Sequence, residues 1–353
     1  MKKTLAFVLA AIVFALAACT AGLSPADGTT ADAGTELKTD APASTVQPTG
    51  PAAETSGIPD TQPVQSGGEV LPPDDDGEIK RVVIVGVDGA GSAFKTANTP
   101  NFDRIFANGA VTYSALTMYP SLSGDCWASC LHGVTPDKHW ITNDNSASKT
   151  AANPACPSVF KIIREKEPDA LLSSLCNWTN VNYSIVEDDI GVYKYGRANR
   201  DDKVTEKACS YIAENDFRFM FVHLNDPDGA LHGVGYGTSA HTKAVEGIDV
   251  HIGEIYDVLI KKGYAGSTVF IVTTDHGGNG MSHGGWTDSE KYITFAVTGP
   301  GVLHGEPGDM NISDTAALVL YSLGIDIPDW MTGRVPTGIF DGITAEPRPY
   351  ESH

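Results

Sequence analysis

The fold this sequence predicts is α/β: a three-layer sandwich around a largely parallel central sheet. Short apolar, β-branched runs read as buried strands, and amphipathic helical segments alternate with them. Asp and His residues also collect just behind those runs, where open α/β sheets gather their chemistry. Arg81 to Val87 (RVVIVGV) is the first such strand, closed by Asp88-Gly89. Strand-like runs recur at Ala170–Leu175, Phe217–Leu224, Thr268–Thr273 and Ile293–Val297. Thr99 to Asn108 reads as a helix with Pro100 in its first turn. A longer helix carries Val245, Ile248, Ile252, Ile255 and Leu259 at helical spacing. Ser313 to Gly324 reads as a last helix with Ser313 as its N-cap. The tail after Thr332 is rich in loop formers, there is no internal repeat, and residues 79–353 form one globular domain.

The first 78 residues read differently. Lys2 and Lys3 precede an apolar run from Leu5 to Ala18, too short to span a bilayer comfortably, so residues 1–18 read as an export signal. Leu16-Ala17-Ala18-Cys19 resembles the lipobox of bacterial lipoproteins, which implies a lipid on Cys19 and a cell-surface protein held on a bacterial membrane. From Thr20 to Glu78 the chain is rich in Pro, Thr, Ala, Gly and Asp and has no aromatic residue. It has too little apolar surface to offset its chain entropy, so residues 19–78 read as a lipidated Cys and a disordered tether. As a flexible coil its root-mean-square span would be about 45 Å.

The formal charge of −20 divides unevenly. The tether carries eleven acids against one lysine, and the signal adds two lysines, which leaves −12 for the globular part. No basic patch stands out, which argues against nucleic-acid duplexes as partners, and no protein partner is indicated. Beyond Cys19 the cysteines are Cys126, Cys130, Cys156, Cys176 and Cys209, an odd number without zinc-ribbon spacing. Export permits disulfides; Cys156 with Cys176 is one pairing, and buried free thiols are the alternative.

Four polar segments follow apolar elements. Asp88 ends the first strand. Pro120-Ser121-Leu122-Ser123-Gly124-Asp125-Cys126-Trp127 leads into a helix running from near Ser123 to His132, whose positive N-terminal end favours an alkoxide and a bound phosphate. Asn225-Asp226-Pro227-Asp228 precedes His232 by a spacing that lets a carboxylate and an imidazole close on one ion. Asp275-His276-Gly277-Gly278 is followed by Ser282-His283-Gly284-Gly285, the glycines allowing the chain to turn back on itself. Single segments have bland readings as caps and turns; three Asp and three His behind strands point to a metal centre.

In this order, from Val82 to about Gly333, the segments resemble the alkaline phosphatase superfamily, and most of all its branch of type I phosphodiesterases and nucleotide pyrophosphatases. The resemblance implies two divalent metal ions, zinc or alternatively manganese, acting on a small phosphorylated substrate, nucleotide-like or another phosphodiester. One ion would be held by Asp88, Ser123, Asp275 and His276, the other by Asp228, His232 and His283. Ser123 matches the nucleophile, with Ser121 as the fallback; Asn143 matches an Asn that contacts a phosphate oxygen; His304 is the alternative to His283. Asp125-Cys126-Trp127 departs from the Pro-Asn-His run usual in this branch, no arginine clamp is evident, and the sulfatase Cys-x-Pro-x-Arg pattern is missing around Cys126. The implied activity is hydrolysis through a phosphoseryl intermediate. Alkaline phosphomonoesterase, phosphoethanolamine hydrolase or transferase, and a non-enzymatic surface binding lipoprotein are the alternatives.

Of the remaining residues, His132 and His139 read as structural or solvent-facing. His241 and His251 fall on the exposed or mixed side of a helix, and Trp127 reads as core. Trp178, Tyr183 and Tyr193 are candidates for the substrate pocket wall.

Overall fold

The computed structural model describes residues 77–149 and 152–344. The export signal, Cys19 and nearly all of the tether lie outside the described residues. Seven strands, β1 (Arg81–Val87), β2 (Ala110–Leu116), β3 (Leu172–Cys176), β4 (Tyr193–Gly196), β5 (Phe219–Leu224), β6 (Thr268–Thr274) and β7 (Tyr292–Thr298), form one sheet in the order β2-β7-β6-β1-β5-β3-β4. β1 pairs in parallel with both β5 and β6, and β3 pairs in parallel with β5 and β4. β7 pairs antiparallel with β6 and with β2. β7 alone is reversed, so the other six strands end on the same side of the sheet.

The helices are α1 (Pro100–Phe106), α2 (Ser123–His132), α3 (Pro136–His139), α4 (Val159–Lys166), α5 (Asp201–Glu214), α6 (Asp226–Val234), α7 (Ser239–Lys261), α8 (Asp288–Lys291) and α9 (Asp314–Ser322). Alternate strand residues face opposite sides. Val82, Ile84, Phe219, Phe221 and Ile271 pack with residues of α2, α4 and α9, such as Trp127, Phe160 and Leu318. Val83, Val85, Met220, Val222 and Phe270 pack with α1, α5 and α7 through residues such as Phe102, Ile212 and Ile252. This is the expected three-layer sandwich. None of the helices among the described residues is long and apolar enough to cross a membrane.

The expected strands and helices are present with ends shifted by one or two residues. Two strands escaped the sequence reading. β2 (AVTYSAL) mixes polar and apolar positions because it is half covered, and β4 (YKYG) is a short, mostly polar edge. Ser313 precedes α9 but does not cap it with its side chain; its Oγ bonds Asn311 Oδ1 instead. The cysteines from Cys126 to Cys209 are free thiols. The Cys156–Cys176 bridge is therefore not formed: Cys176 closes β3 beside Ser174, while the Cys156 loop is held through its carbonyl by His132 Nδ1, 2.7 Å away.

Candidate active site

Each segment singled out in the sequence leaves the same side of the sheet. Asp88 follows β1, Asp228 and His232 lie on α6 just after β5, and Asp275 and His276 follow β6. Ser123 is the first residue of α2, reached from the end of β2. His283 lies in the excursion that leads through α8 into β7. The turn after β1 depends on Gly89, which has φ +69° and whose absent Cβ would fall 2.6 Å from Asp228 Cα. Only glycine permits that backbone angle and that approach together.

The side chains converge. Ser123 Oγ lies 3.3 Å from Asp88 Oδ1 and 3.2 Å from His276 Nε2. His276 Nε2 is 3.5 Å from Asp88 Oδ1 and 3.2 Å from Asp275 Oδ2. His232 Nε2 is 3.1 Å from His283 Nε2 and 3.4 Å from Asp228 Oδ1. Asp228, His232 and His283 form one cluster of ligand atoms within 4.8 Å of one another; Asp88, Asp228 and His276 form a second. All seven residues expected to ligate metal therefore meet in space, and Asp228 lies between the two groups.

Hydrogen bonding orients the imidazoles. His276 Nδ1 faces Gly277 O at 2.9 Å, His283 Nδ1 faces Ser121 O at 2.9 Å, and His232 Nδ1 faces Met281 O at 3.1 Å. A carbonyl can only accept, so in each neutral ring the proton sits on Nδ1 and a bare Nε2 lone pair points into the cluster. Asp275 Oδ1 accepts from Gly89 N and His276 N, whereas its buried Oδ2 accepts nothing. The buried Asp228 Oδ1 also lacks a hydrogen bond. Bare lone pairs and unmated carboxylate oxygens packed together fit divalent cations of the O/N-preferring kind.

The electrostatics follow the burial. Burial, and then the nearby Asp88, push Asp228 up to about 6. The same two causes raise Asp275 well above the carboxylate range. Burial would raise Asp88 too, but the hydrogen bond and charge of His223, with His276 and Trp127, hold it well below that range. Burial depresses His276 and His283, which favours the neutral, ligating form.

The two candidate hydroxyls separate cleanly. Ser121 Oγ is committed to the backbone, donating to Gly285 O at 2.8 Å and accepting from Gly284 N at 3.0 Å. Ser123 Oγ faces the cluster. Asn143 is exposed and stands over the first turn of α2, its Oδ1 accepting from Gly124 N at 3.0 Å and its own N–H bonded to Asp125 Oδ2 at 2.9 Å. With Oδ1 committed to Gly124 N, the Asn143 side chain has its amide N–H groups left as donors. His304 is exposed beside Gly305, which bridges Ala110 at the start of β2, the opposite end of the sheet; it stands away from the cluster.

His132 and His139 are fully buried, which fits the structural one of their two readings, and burial pushes His139 down to about 3. Other expectations need correction. His241 is also buried, not exposed: its Nε2 donates to Gly89 O at 3.0 Å, propping the turn behind Asp88. Tyr193 begins β4 at the far end of the sheet, stacked on Tyr211. Trp178 and Tyr183 follow β3 on the site side, and Trp178 reaches His223.

Three residues have supporting roles that the sequence did not reveal. His223, inside β5, donates from Nε2 to Asp88 Oδ2 at 2.9 Å. Trp127 Nε1 donates to the same oxygen at 2.9 Å, a polar role beyond core packing. Asp201 accepts from Asn225 N and Asp226 N, fixing the approach to α6. The one signal for His223 was an ionisable residue in an otherwise apolar strand.

A model of the type I phosphodiesterase / nucleotide pyrophosphatase family matches residues 82–161 and 163–324. Among curated proteins, the 2,3-bisphosphoglycerate-independent phosphoglycerate mutase of Gluconobacter oxydans is 30% identical over 139 residues, covering 37% of this chain and 25% of that protein. The mutase of Caenorhabditis elegans is 30% identical over 139 residues, 37% of this chain and 24% of that one. The chain thus spans about a quarter of the length of these relatives. Among solved structures, murine ectonucleotide pyrophosphatase / phosphodiesterase 5 aligns with TM-score 0.59 and 13% identity over 70% of this chain and 96% of that one. Its human counterpart aligns with TM-score 0.61 and 12% identity, over 73% and 99%. A 2-O GAG sulfatase gives TM-score 0.61 and 13% identity, over 72% and 73%. An inactive form of the murine protein has been solved with AMP. The structural likenesses share the fold of the alkaline phosphatase superfamily; the family match spans most of the described residues, and the chain belongs to the type I phosphodiesterase / nucleotide pyrophosphatase family.

Proposed function

We propose that this protein hydrolyses a small phosphodiester, nucleotide-like in class, by attack of Ser123 Oγ on phosphorus at a centre built for two divalent cations. The observation that carries this reading is the inward set of three bare Nε2 atoms and two unmated carboxylate oxygens beside one serine hydroxyl. Asp88, Ser123, Asp275 and His276 would hold one cation, and Asp228, His232 and His283 the other. Zinc suits this donor set and manganese is the alternative; when bound, the pair would acidify the serine hydroxyl and neutralise charge on the phosphate and leaving oxygen.

The chain's own groups do the rest. Ser123 opens α2, where the positive helix end favours both the alkoxide and the incoming phosphate. Attack forms a phosphoserine and expels an alcohol or nucleotide fragment; water then opens the ester in the reverse sense. Asn143, anchored through Oδ1, would offer its amide N–H groups to a non-bridging oxygen. Asp88, Asp228 and Asp275 face histidine nitrogens, and among the described residues no Lys or Arg pairs with them. The site thus has no cationic side-chain clamp for a second phosphate charge, which favours a diester over the more highly charged monoester. The AMP complex of the murine structural neighbour supports a nucleotide-like arm.

The N-terminal sequence supports export and anchoring through a lipid on Cys19, away from the described residues. Incorporation of labelled fatty acid that is lost in Cys19→Ala checks that part.

The decisive experiment compares a nitrophenyl monoester, a bis-nitrophenyl diester and a nitrophenyl nucleotide ester on purified protein. The expected order favours the diesters, with activity lost on chelation, restored by zinc or manganese, and abolished in Ser123→Ala. Full activity in that variant, or active protein free of transition metal, would overturn the reading.

A further inference from the structure

Asp88 carries an asymmetry that the proposed chemistry leaves unexplained. Its carboxylate is 1% exposed, and the two oxygens are treated differently. Oδ1 faces Ser123 Oγ and His276 Nε2. Oδ2 points the other way and receives two donors, Trp127 Nε1 and His223 Nε2, each at 2.9 Å.

Both donors are built in. Trp127 lies one helical turn after Ser123 on α2, so its indole ties the helix bearing the serine directly to the end of β1. Space for the ring is made by Gly86, where a Cβ would come within 2.5 Å of Trp127 Cη2. His223 sits opposite Gly86 in the β1–β5 register. The Trp178 N–H points at His223 Nδ1 at 3.4 Å, which leaves the ring proton on Nε2, facing Asp88. The Trp127 and His223 rings meet edge to face, 5.2 Å between centroids, so neither donor can turn away without opening the core.

We propose that His223 and Trp127 are positioning residues for the first cation site: they jointly occupy Asp88 Oδ2 and reserve Oδ1 as a single ligand beside Ser123. The inference rests on the functional reading above, since it assigns Asp88 to a cation. Without the two donors the carboxylate is free to rotate or to present both oxygens, and the cation loses its fixed place against the serine. Partners of this kind behind a ligand are worth about 10- to 100-fold in metal affinity.

The test is calorimetric titration of zinc into chelator-treated full-length protein, with a thermal melt of each metal-free variant. Wild type is expected to bind two equivalents. His223→Ala and Trp127→Phe are each expected to weaken one equivalent by about 10- to 100-fold and leave the other, at Asp228, His232 and His283, unchanged. His223→Gln, which restores an N–H donor, is expected to recover much of the loss. Wild-type affinity at both sites in His223→Ala and Trp127→Phe overturns the latch and leaves the functional reading standing. A wild type that binds no zinc or manganese overturns both. If His223→Ala fails to fold, Trp127→Phe and His223→Gln decide: loss in the first with recovery in the second supports the proposal, and equal affinities or equal losses reject it.

Discussion

The rings of His276 and His283 lie face to face, 3.8 Å between centroids and 14° between planes. Each is pinned by its Nδ1 to a different backbone carbonyl, so the stack aligns two Nε2 atoms that belong to different ligand groups. Loss of one ring should therefore affect mainly one cation. His283→Ala is expected to lower bound metal from two equivalents toward one by elemental analysis, with activity down by about 100-fold or more. His304→Ala, at the far end of the sheet, should match wild type in both.

Asn143 offers a cleaner division between structure and chemistry. Asp at this position keeps the oxygen that accepts from Gly124 N but removes the amide donors. Asn143→Asp is expected to melt within a few degrees of wild type while kcat falls by about 100-fold, the usual scale for one lost oxyanion donor. An unchanged kcat would dissociate Asn143 from the phosphate.

Gly89 couples backbone conformation to ligand placement. An alanine there meets both the left-handed φ and the Asp228 backbone. Gly89→Ala is expected to cost about 1–3 kcal/mol in denaturant unfolding and to reduce turnover at least 10-fold, because Asp228 must move.

Asp125 supplies a pH signature outside the ligand set. Burial, reinforced by Asp144, raises its carboxyl to about 6, against the lowering effect of backbone N–H donors. With the folded value above the unfolded one, its stabilising contribution is full below about pH 4 and disappears as pH rises through about 6. Asn lacks that dependence yet retains an acceptor for Asn143 N. Relative to wild type, metal-free Asp125→Asn should therefore gain about 1 kcal/mol between pH 4 and pH 7.5 in guanidinium unfolding.

What the sequence revealed and what it hid differ in physical kind. Asp88, Asp228, Asp275 and His276 were legible because each is a polar residue shortly beyond an apolar strand, where the pattern breaks, and His232 and His283 because they follow those residues at short spacing. His223 and Trp127 were not, because they stand inside such elements and are polar at a single atom. Ser123 was preferred over Ser121 by motif position alone; the physical separation of the two, backbone partners that occupy Ser121 Oγ, lies in the fold. His241 was misread because helical spacing describes a helix's own faces and not the Gly89 turn packed against it. β4 was missed for want of burial, having little apolar pattern to show.

The reversal of β7 has a bearing on how such a site diversifies. The chain leaves β6 and re-enters β7 on the same side of the sheet, so the span from Asp275 to Lys291 has no layer of helices to traverse. Its length is free of the constraint that sets every βαβ crossover. Residues inserted between His283 and α8 would grow outward over the mouth of the site while the pairing of Phe270 with Thr298 stayed as it is. Descendants of this scaffold can thus reshape what they admit by lengthening one return, leaving the architecture beneath untouched.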